Sequence, residues 1–395
     1  MTWISTVDLF CGVGGLTYGL ESVGIPVSAG VDINEDCEYS YKSNTGAEFE
    51  EWDLTHLTHD DCGEDGCIDP EDVADLYPED VDRILVGCAP CQPFSTMGNE
   101  RGESHDKYDL LEAFRTLIDV VDPDVLVTEN VPKVIDSDVY ADFRMKVEDY
   151  YGEDNVWSDE VDCQDYGVPQ TRKRLLLIAS NYGEIELIPP THPEDITVRK
   201  AIEPVDLPRI EAGEDPSDDY QLHFSARLVE RNIERMKQSE PGGSWKDWDD
   251  ELVTEAHQRK SGQKYTSCYG RMEWDELAPT ITTEFYNYGS GRFGHPDYDF
   301  ENPENSQNRA ISFREGALLQ TFPMEYEFLD PEDDISRDSL GTLIGNAVPV
   351  RLAEVIGESI QKHLEQVDKG RVEADTDADG SHVTWLQRQE TVAVH

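Results

Sequence analysis

An α/β protein, built on a doubly wound, mostly parallel sheet with a smaller inserted domain, is what three features of this 395-residue sequence predict. Short apolar runs alternate with stretches of helical periodicity, and a glycine-rich turn follows the first run. Polar residues able to carry chemistry stand at the ends of the runs, where open α/β sheets place their sites.

The first strand is Ile4-Ser5-Thr6-Val7-Asp8-Leu9-Phe10, followed by Cys11-Gly12-Val13-Gly14-Gly15-Leu16 turning into a helix. Glycines there let the backbone approach a ligand and present N–H donors at a helix start. The spacing is not the dinucleotide G-x-G-x-x-G, so the turn alone admits a nucleotide-like cofactor or a ligand-free connection. The next strand, Val27-Ser28-Ala29-Gly30-Val31, ends in Asp32, a carboxylate placed to accept hydrogen bonds from a ribose. Turn and acid together read as an adenosine site. Asp53 is a third candidate contact, or else a surface acid of an acidic chain.

A third strand, Ile84-Leu85-Val86, leads into Gly87-Cys88-Ala89-Pro90-Cys91-Gln92-Pro93-Phe94-Ser95. Each proline ring fixes its own φ and disfavours helix in the residue before it, so the Cys91 thiol is held with little backbone freedom. That suits a nucleophile, although Cys88 and Cys91 alone also admit a redox dithiol or half of a zinc site. Val125-Leu126-Val127-Thr128 delivers Glu129-Asn130-Val131 at its end, and Gln170-Thr171-Arg172-Lys173-Arg174 precedes the strand Leu175-Leu176-Leu177-Ile178-Ala179. Alternation puts Arg172 and Arg174 on one face, both able to fork onto an anion or a base edge. Helices are expected over Leu110 to Val121, Val139 to Tyr151 and about Pro349 to Leu364. The last of these would pack back on the N-terminal sheet and carry Asn346 to the cofactor.

In this order the motifs resemble the S-adenosylmethionine-dependent cytosine-C5 DNA methyltransferase family. The resemblance rests on Asp8 to Gly15, Pro90-Cys91-Gln92, Glu129-Asn130-Val131, Gln170 to Arg174, Ala278-Pro279-Thr280-Ile281-Thr282-Thr283, Arg314-Glu315, Leu319-Gln320-Thr321-Phe322-Pro323 and Gly345-Asn346-Ala347-Val348-Pro349. It implies a Rossmann-like methyltransferase fold and a mechanism in which Cys91 adds to C6 of cytosine, splitting one hard step into easier ones. It assigns proton donation at N3 to Glu129, and steadying of the flipped base and nearby carboxyl groups to Arg172 with Arg174 as its partner. It places S-adenosylmethionine against Phe10, Gly12, Val13, Gly14, Gly15, Asp32, Asp53, Pro90, Asn346 and Val348. No metal is implied. The target base must leave the duplex stack, and Gln92, Ser95 and Arg101, on a polar loop after the nucleophile, are implied to touch the DNA.

Composition opposes nucleic acid at first sight. With 32 Lys and Arg against 85 Asp and Glu, the net charge is −53, whereas phosphate neutralisation supplies much of the affinity for DNA. At molar salt the Debye length is about 3 Å, so distant repulsion is screened. A halophilic origin is therefore expected. Between Gln221 and Arg271 the chain holds nine basic and eight acidic residues, the least DNA-repelling part. There Ser225 is read as the cap of a helix presenting Arg227, Arg231 and Arg235 at every fourth position, paired with Glu230 and Glu234 or turned to DNA. Within the resemblance this is the target-recognition region, with loops Pro241 to Trp245 and Tyr265 to Arg271, and Arg271 joins the DNA-binding set.

The expected division is residues 1–183 with 309–365 as the catalytic domain, 184–308 as the target-recognition domain and 366–395 as a disordered acidic tail. Eight cysteines without a regular framework point to a reducing compartment, and with no apolar run of membrane-spanning length a cytoplasmic monomer is expected. His56, His59, Cys62 and Cys67 lie close in sequence but match no strong zinc spacing. Expected partners are double-stranded DNA and a cognate restriction endonuclease, with no membrane. The competing readings are a tRNA cytosine-C5 methyltransferase, a dithiol redox protein and a non-catalytic DNA-binding protein; the long insertion between Arg174 and Ala278 favours DNA.

Overall fold

A computed structural model of the chain describes residues 3–57, 68–89, 109–216, 220–259, 262–330 and 335–375. Its N-terminal part alternates β1 (Trp3–Leu9), α1 (Gly15–Ser22), β2 (Val27–Asp32), α2 (Glu38–Asn44), β3 (Glu48–Glu51), α3 (Pro70–Ala74), β4 (Val81–Gly87), α4 (Asp109–Val121), β5 (Val125–Asn130) and α5 (Asp138–Tyr151). Then come β6 (Val156–Asp162), β7 (Gln170–Thr171) and β8 (Lys173–Ser180). Seven strands form one sheet in the order β3-β2-β1-β4-β5-β8-β6. The first five run parallel, while β8 is antiparallel to both β5 and β6.

Both faces of the sheet are covered, which is why its central strands are near-continuous apolar runs. On one face Leu16 and Leu20 of α1 pack with Val86, Val125 and Ile178. On the other, Phe114, Leu117 and Ile118 of α4 and Phe143 and Val147 of α5 pack with Val7, Leu85, Leu126 and Leu177. Alternate residues of each strand serve alternate faces.

The remaining part carries α6 (Val198–Ile202), α7 (Glu230–Gln238), α8 (Glu255–Gln258), β9 (Ala278–Pro279), α9 (Phe313–Leu319), α10 (Arg337–Asn346) and α11 (Val350–Asp375). Much of residues 203–312 is loop, tied by isolated bridges Pro241 to Arg271, Arg271 to Gly294 and Gly294 to Ala310. The short pair β7–β9 joins this part to the sheet. α11 returns to the N-terminal part and packs on α1, so closely that a Cβ on Gly19 would lie 2.4 Å from the Ala353 Cβ. α11 also continues to Asp375, through residues expected to begin a disordered tail; residues 376–395 lie outside the described set.

Two further expectations are corrected. Ser225 does not cap the arginine-bearing helix: α7 starts at Glu230 with Val229 at its N-cap, leaving Arg227 ahead of it. Tertiary docking overrides the local cap, because Phe224 packs on Phe313 and the Arg314 and Phe313 amides donate to the Leu222 and Phe224 carbonyls. Second, the stretch Arg337–Asp368 is long and apolar enough to cross a membrane, but 72% of its apolar window is buried in the protein. Ala347-Val348-Pro349 breaks that stretch into α10 and α11.

Candidate active site

Candidate residues gather at the carboxyl ends of β1, β2, β4 and β5 and at the start of β8. After β1 the chain turns through left-handed backbone at Phe10 (φ 59°), Gly12 (φ 53°) and Gly14 (φ 89°), the last capping α1. Asp32 at the end of β2 holds this turn: one carboxylate oxygen accepts from the Gly12 amide at 2.8 Å and the other from the Asn34 amide at 2.9 Å. Burial raises the pKa of Asp32, and these amide donors oppose the rise. Asp53 lies on the same rim, since the Trp52 amide donates to the Asp32 carbonyl, and its carboxylate caps a short turn by accepting from the Thr55 amide and hydroxyl.

Val348 meets this turn: a Cβ on Gly15 would sit 2.5 Å from the Val348 carbonyl. A Cβ on Gly12 would meet nothing within 4 Å, so the turn faces open space on that side. Asn346, the last residue of α10, is exposed beside it in the chain. A helix N-terminus, an open glycine turn and a carboxylate at the end of β2 fit an adenosine-containing cofactor.

The charge machinery sits where β5 and β8 pair. Glu129 is 8% exposed, and its Oε1 lies 2.5 Å from Nε of Arg174, in an ion pair that lacks the alignment of a hydrogen bond. Arg172, 2% exposed, donates through Nη1 to the Ile281 carbonyl at 3.1 Å and through Nη2 to the Ala347 carbonyl at 3.3 Å, while its Nε is buried without a partner. Burial, then the neighbouring Arg174 charge, lowers the pKa of Arg172 to about 9. Arg174 therefore holds the carboxyl and Arg172 ties the site to the following segments, a reversal of the expected order between the two.

β4 brings Cys88 to the same place. Its amide donates to the Leu9 carbonyl, and burial, then the Glu129 charge, push its thiol pKa well up. Asn130 donates to the Ala89 carbonyl at 3.4 Å, tying the end of β5 to the segment that follows β4. Pro90, Cys91, Gln92, Ser95 and Arg101 lie outside the described residues.

Sequence reading named Gln170 and Gln320 only as parts of motifs. In the fold Gln170 Nε2 donates to the Leu319 carbonyl and to Gln320 Oε1, Gln170 Oε1 accepts from the Ile281 amide, and Gln320 Nε2 donates to the Ile344 carbonyl. These two buried amides stitch four motifs together. Two glutamines preceding and following apolar runs were the only sequence signal.

The expected DNA-facing arginines divide. Arg227 and Arg231 are exposed, with Arg231 also donating to the Glu251 carbonyl. Arg235 and Arg271 are corrected, because both are buried. Arg235 donates to the Leu252 carbonyl and Asn232 and lies against the Trp248 and Tyr269 rings. Arg271, 0% exposed, spends its guanidinium on five backbone carbonyls and Asn308. Among the described residues no three His, Cys, Asp or Glu side chains are grouped to hold a metal ion. His56 is described there, 3.8 Å from Asp53, whereas His59, Cys62 and Cys67 are outside the described residues.

Comparison with known proteins decides what this arrangement belongs to. The model for C-5 cytosine-specific DNA methylases matches residues 4–362. The chain belongs to that family. It is 42% identical over 368 residues to the type II methylase M.HgiDII of Herpetosiphon aurantiacus, covering 91% of this chain and 96% of that protein. It is 27% identical over 377 residues to the type II methyltransferase M1.BsuMI of Bacillus subtilis, covering 89% of this chain and 79% of that one. Among solved structures, a protein assigned as a prophage-encoded DNA modification methyltransferase of E. coli superposes with a TM-score of 0.66 at 19% identity, over 91% of this chain and 99% of the other. That likeness shows the shared fold. This member of the C-5 cytosine DNA methylase family is a DNA (cytosine-5-)-methyltransferase, and the family assignment separates it from the tRNA, redox and non-catalytic readings.

Proposed function

We propose that the protein methylates C5 of a cytosine flipped out of one specific duplex DNA sequence, with S-adenosylmethionine as methyl donor and Cys91 as transient nucleophile. The observation that carries this reading is the Glu129–Arg174 pair beside Arg172, at the strand ends next to the one that leads to Cys91. When bound, S-adenosylmethionine supplies an electrophilic methyl group. Gly12 to Gly15 and Val348 would hold it, with Asp32 and Asp53 at its sugar and base and Phe10, Val13, Pro90 and Asn346 completing the pocket.

The rest falls to this chain's own side chains. Addition of the Cys91 sulfur to C6 loads negative charge onto the ring at N3, where Glu129 delivers a proton. Arg174 at 2.5 Å keeps the carboxyl aimed while it does so. Loss of the C5 proton, expulsion of the Cys91 thiolate from C6 and return of the N3 proton to Glu129 then restore the neutral aromatic ring. The flipped base costs a few kcal/mol in lost stacking, and Gln92, Ser95 and Arg101, with Arg227 and Arg231, are our candidates for holding the DNA meanwhile.

The same reading divides the chain into a catalytic domain, 1–183 with 309–365, and a target-recognition domain, 184–308. It places the protein as a monomer in the cytoplasm of a halophile, beside a restriction endonuclease for the same site. Labelled methyl transfer to DNA and to tRNA by wild type, Cys91→Ser and Cys88→Ser tests the assignment. Label in DNA alone, lost with Cys91→Ser alone, is expected. Equal loss with Cys88→Ser, or label in tRNA, contradicts it. Circular dichroism across a KCl titration tests the halophilic reading, which a fold fully retained in dilute buffer would overturn.

A further inference from the structure

We infer that Arg292 reads a base: its guanidinium forks onto the major-groove edge of a guanine in the DNA sequence that the enzyme methylates. The inference rests on the DNA-methylating activity and adds the side chain that selects the site.

Three loops converge at Gly270. Its amide donates to the Ser267 carbonyl at 3.2 Å and to the Gly291 carbonyl at 3.3 Å, and a Cβ there would lie 2.9 Å from both the Gly243 carbonyl oxygen and Cγ of Arg292. The loops around Gly243, Gly270 and Gly291 are thus held against one another, with the stem of Arg292 lodged in the junction. Beneath them Arg271, saturated with carbonyls, and the bridges from Pro241 through Arg271 to Gly294 make a rigid floor.

Among the described residues no hydrogen bond, ion pair or ring contact engages the half-buried Arg292, and its Nε is buried without an acceptor. Several other arginines of this acidic chain are spent on carboxylates, among them Arg199, Arg209, Arg309 and Arg351. An arginine whose stem is fixed and whose fork is free has lost little freedom still to be lost on binding, and a planar fork matches the O6 and N7 acceptors of guanine.

The junction is also joined to the active site. Ile281, whose carbonyl accepts from Arg172, leads to Arg292 through a compact turn that Ser290 closes by donating to the Glu284 and Asn287 carbonyls. A displaced grip on the DNA at Arg292 is therefore referred to the catalytic arginines through a short stretch of ordered chain.

The test uses the full chain, an unmethylated plasmid library carrying a randomised segment, and bisulfite sequencing to read every methylated cytosine and its flanks. Wild type should mark one motif containing a G·C pair besides the target. Arg292→Ala and Arg292→Gln should relax a single guanine position by about tenfold to a hundredfold and leave the others intact, with Arg292→Lys in between. The ratio is read among sequences within one tube, so a smaller folded fraction does not alter it. A motif unchanged in both variants overturns the inference. So does an equal loss over all sequences with a shallower salt dependence, which marks a phosphate contact. A wild type that marks no cytosine at all removes the activity reading, and Arg292 with it.

Discussion

Arg271→Ala should unfold the segments between Met236 and Asn308 that it ties together rather than remove a contact with DNA. Arg271 has no exposed surface, and its guanidinium makes six hydrogen bonds of 2.6 to 3.0 Å to the carbonyls of Ser239, His295, Asp297, Gln307 and Met236 and to Asn308 Oδ1. Burial lowers its pKa to about 10, so the group stays charged at neutral pH and depends on those acceptors. Truncation strands them in a dry site and opens a cavity, a loss of about 4 kcal/mol after the arginine's own desolvation cost is recovered. Lysine returns the charge but three donors instead of five, so Arg271→Lys should lose about 2 kcal/mol. Urea unfolding in the salt that supports the native state measures both. DNA binding of the folded fraction should keep the wild-type salt dependence, whereas loss of a phosphate contact lowers that slope by about 1. A stability change under about 1 kcal/mol together with a reduced slope would refute the buried-hub account.

Arg174→Ala should leave the protein folded and cut methyl transfer by about 10² to 10⁴, because Glu129 loses the cation that aims it; transfer within threefold of wild type, measured with labelled methyl donor, contradicts that role. Asp8 is buried, one carboxylate oxygen accepts from the Thr17 hydroxyl at 2.7 Å and the other has no partner, and burial raises its pKa from 3.8 to about 7. The folded state therefore keeps this proton longer than the unfolded state, and the contribution of Asp8 to stability is full below pH 4, declines as pH rises to about 7 and is level above, a span of about 4 kcal/mol. Asp8→Asn should flatten that decline in urea midpoints compared at pH 5 and pH 8, and an unaltered difference between the two would count against it. Gly15→Ala pushes a Cβ to within 2.5 Å of the Val348 carbonyl, so calorimetry should show S-adenosylmethionine affinity lower by about tenfold or more; unchanged affinity would separate this turn from the cofactor.

Much of the scaffold was legible in the residues because its signals are local. Apolar runs such as Val125 to Thr128 read as buried strands, and the turn Cys11 to Leu16 needs left-handed backbone that glycine supplies at Gly12 and Gly14. The start of α11 followed from Pro349. What stayed hidden depends on distant partners. Periodicity cannot tell an arginine facing DNA from one satisfied by carbonyls, since every residue carries a carbonyl; the socket of Arg271 is assembled from segments between Met236 and Asn308. Ser225 looked like a cap, yet Phe224 docked on Phe313 holds that segment out of the helix. Arg172 and Arg174 share a strand edge in sequence, but only the pairing of β5 with β8 shows which of them meets Glu129. Gln170 and Gln320 act through acceptors far along the chain, a relation that spacing does not encode.

The central claim is a covalent bond between Cys91 and C6 of the target cytosine. Incubating the full chain in concentrated KCl with S-adenosylmethionine and duplex DNA carrying 5-fluorocytosine at the methylated position blocks loss of the C5 substituent and so the release of the enzyme. Mass spectrometry of the digested product should find the oligonucleotide attached to the peptide holding Cys91, with the methyl group already transferred. Folded protein that methylates the unfluorinated duplex yet yields no adduct, or an adduct on Cys88, would contradict the account.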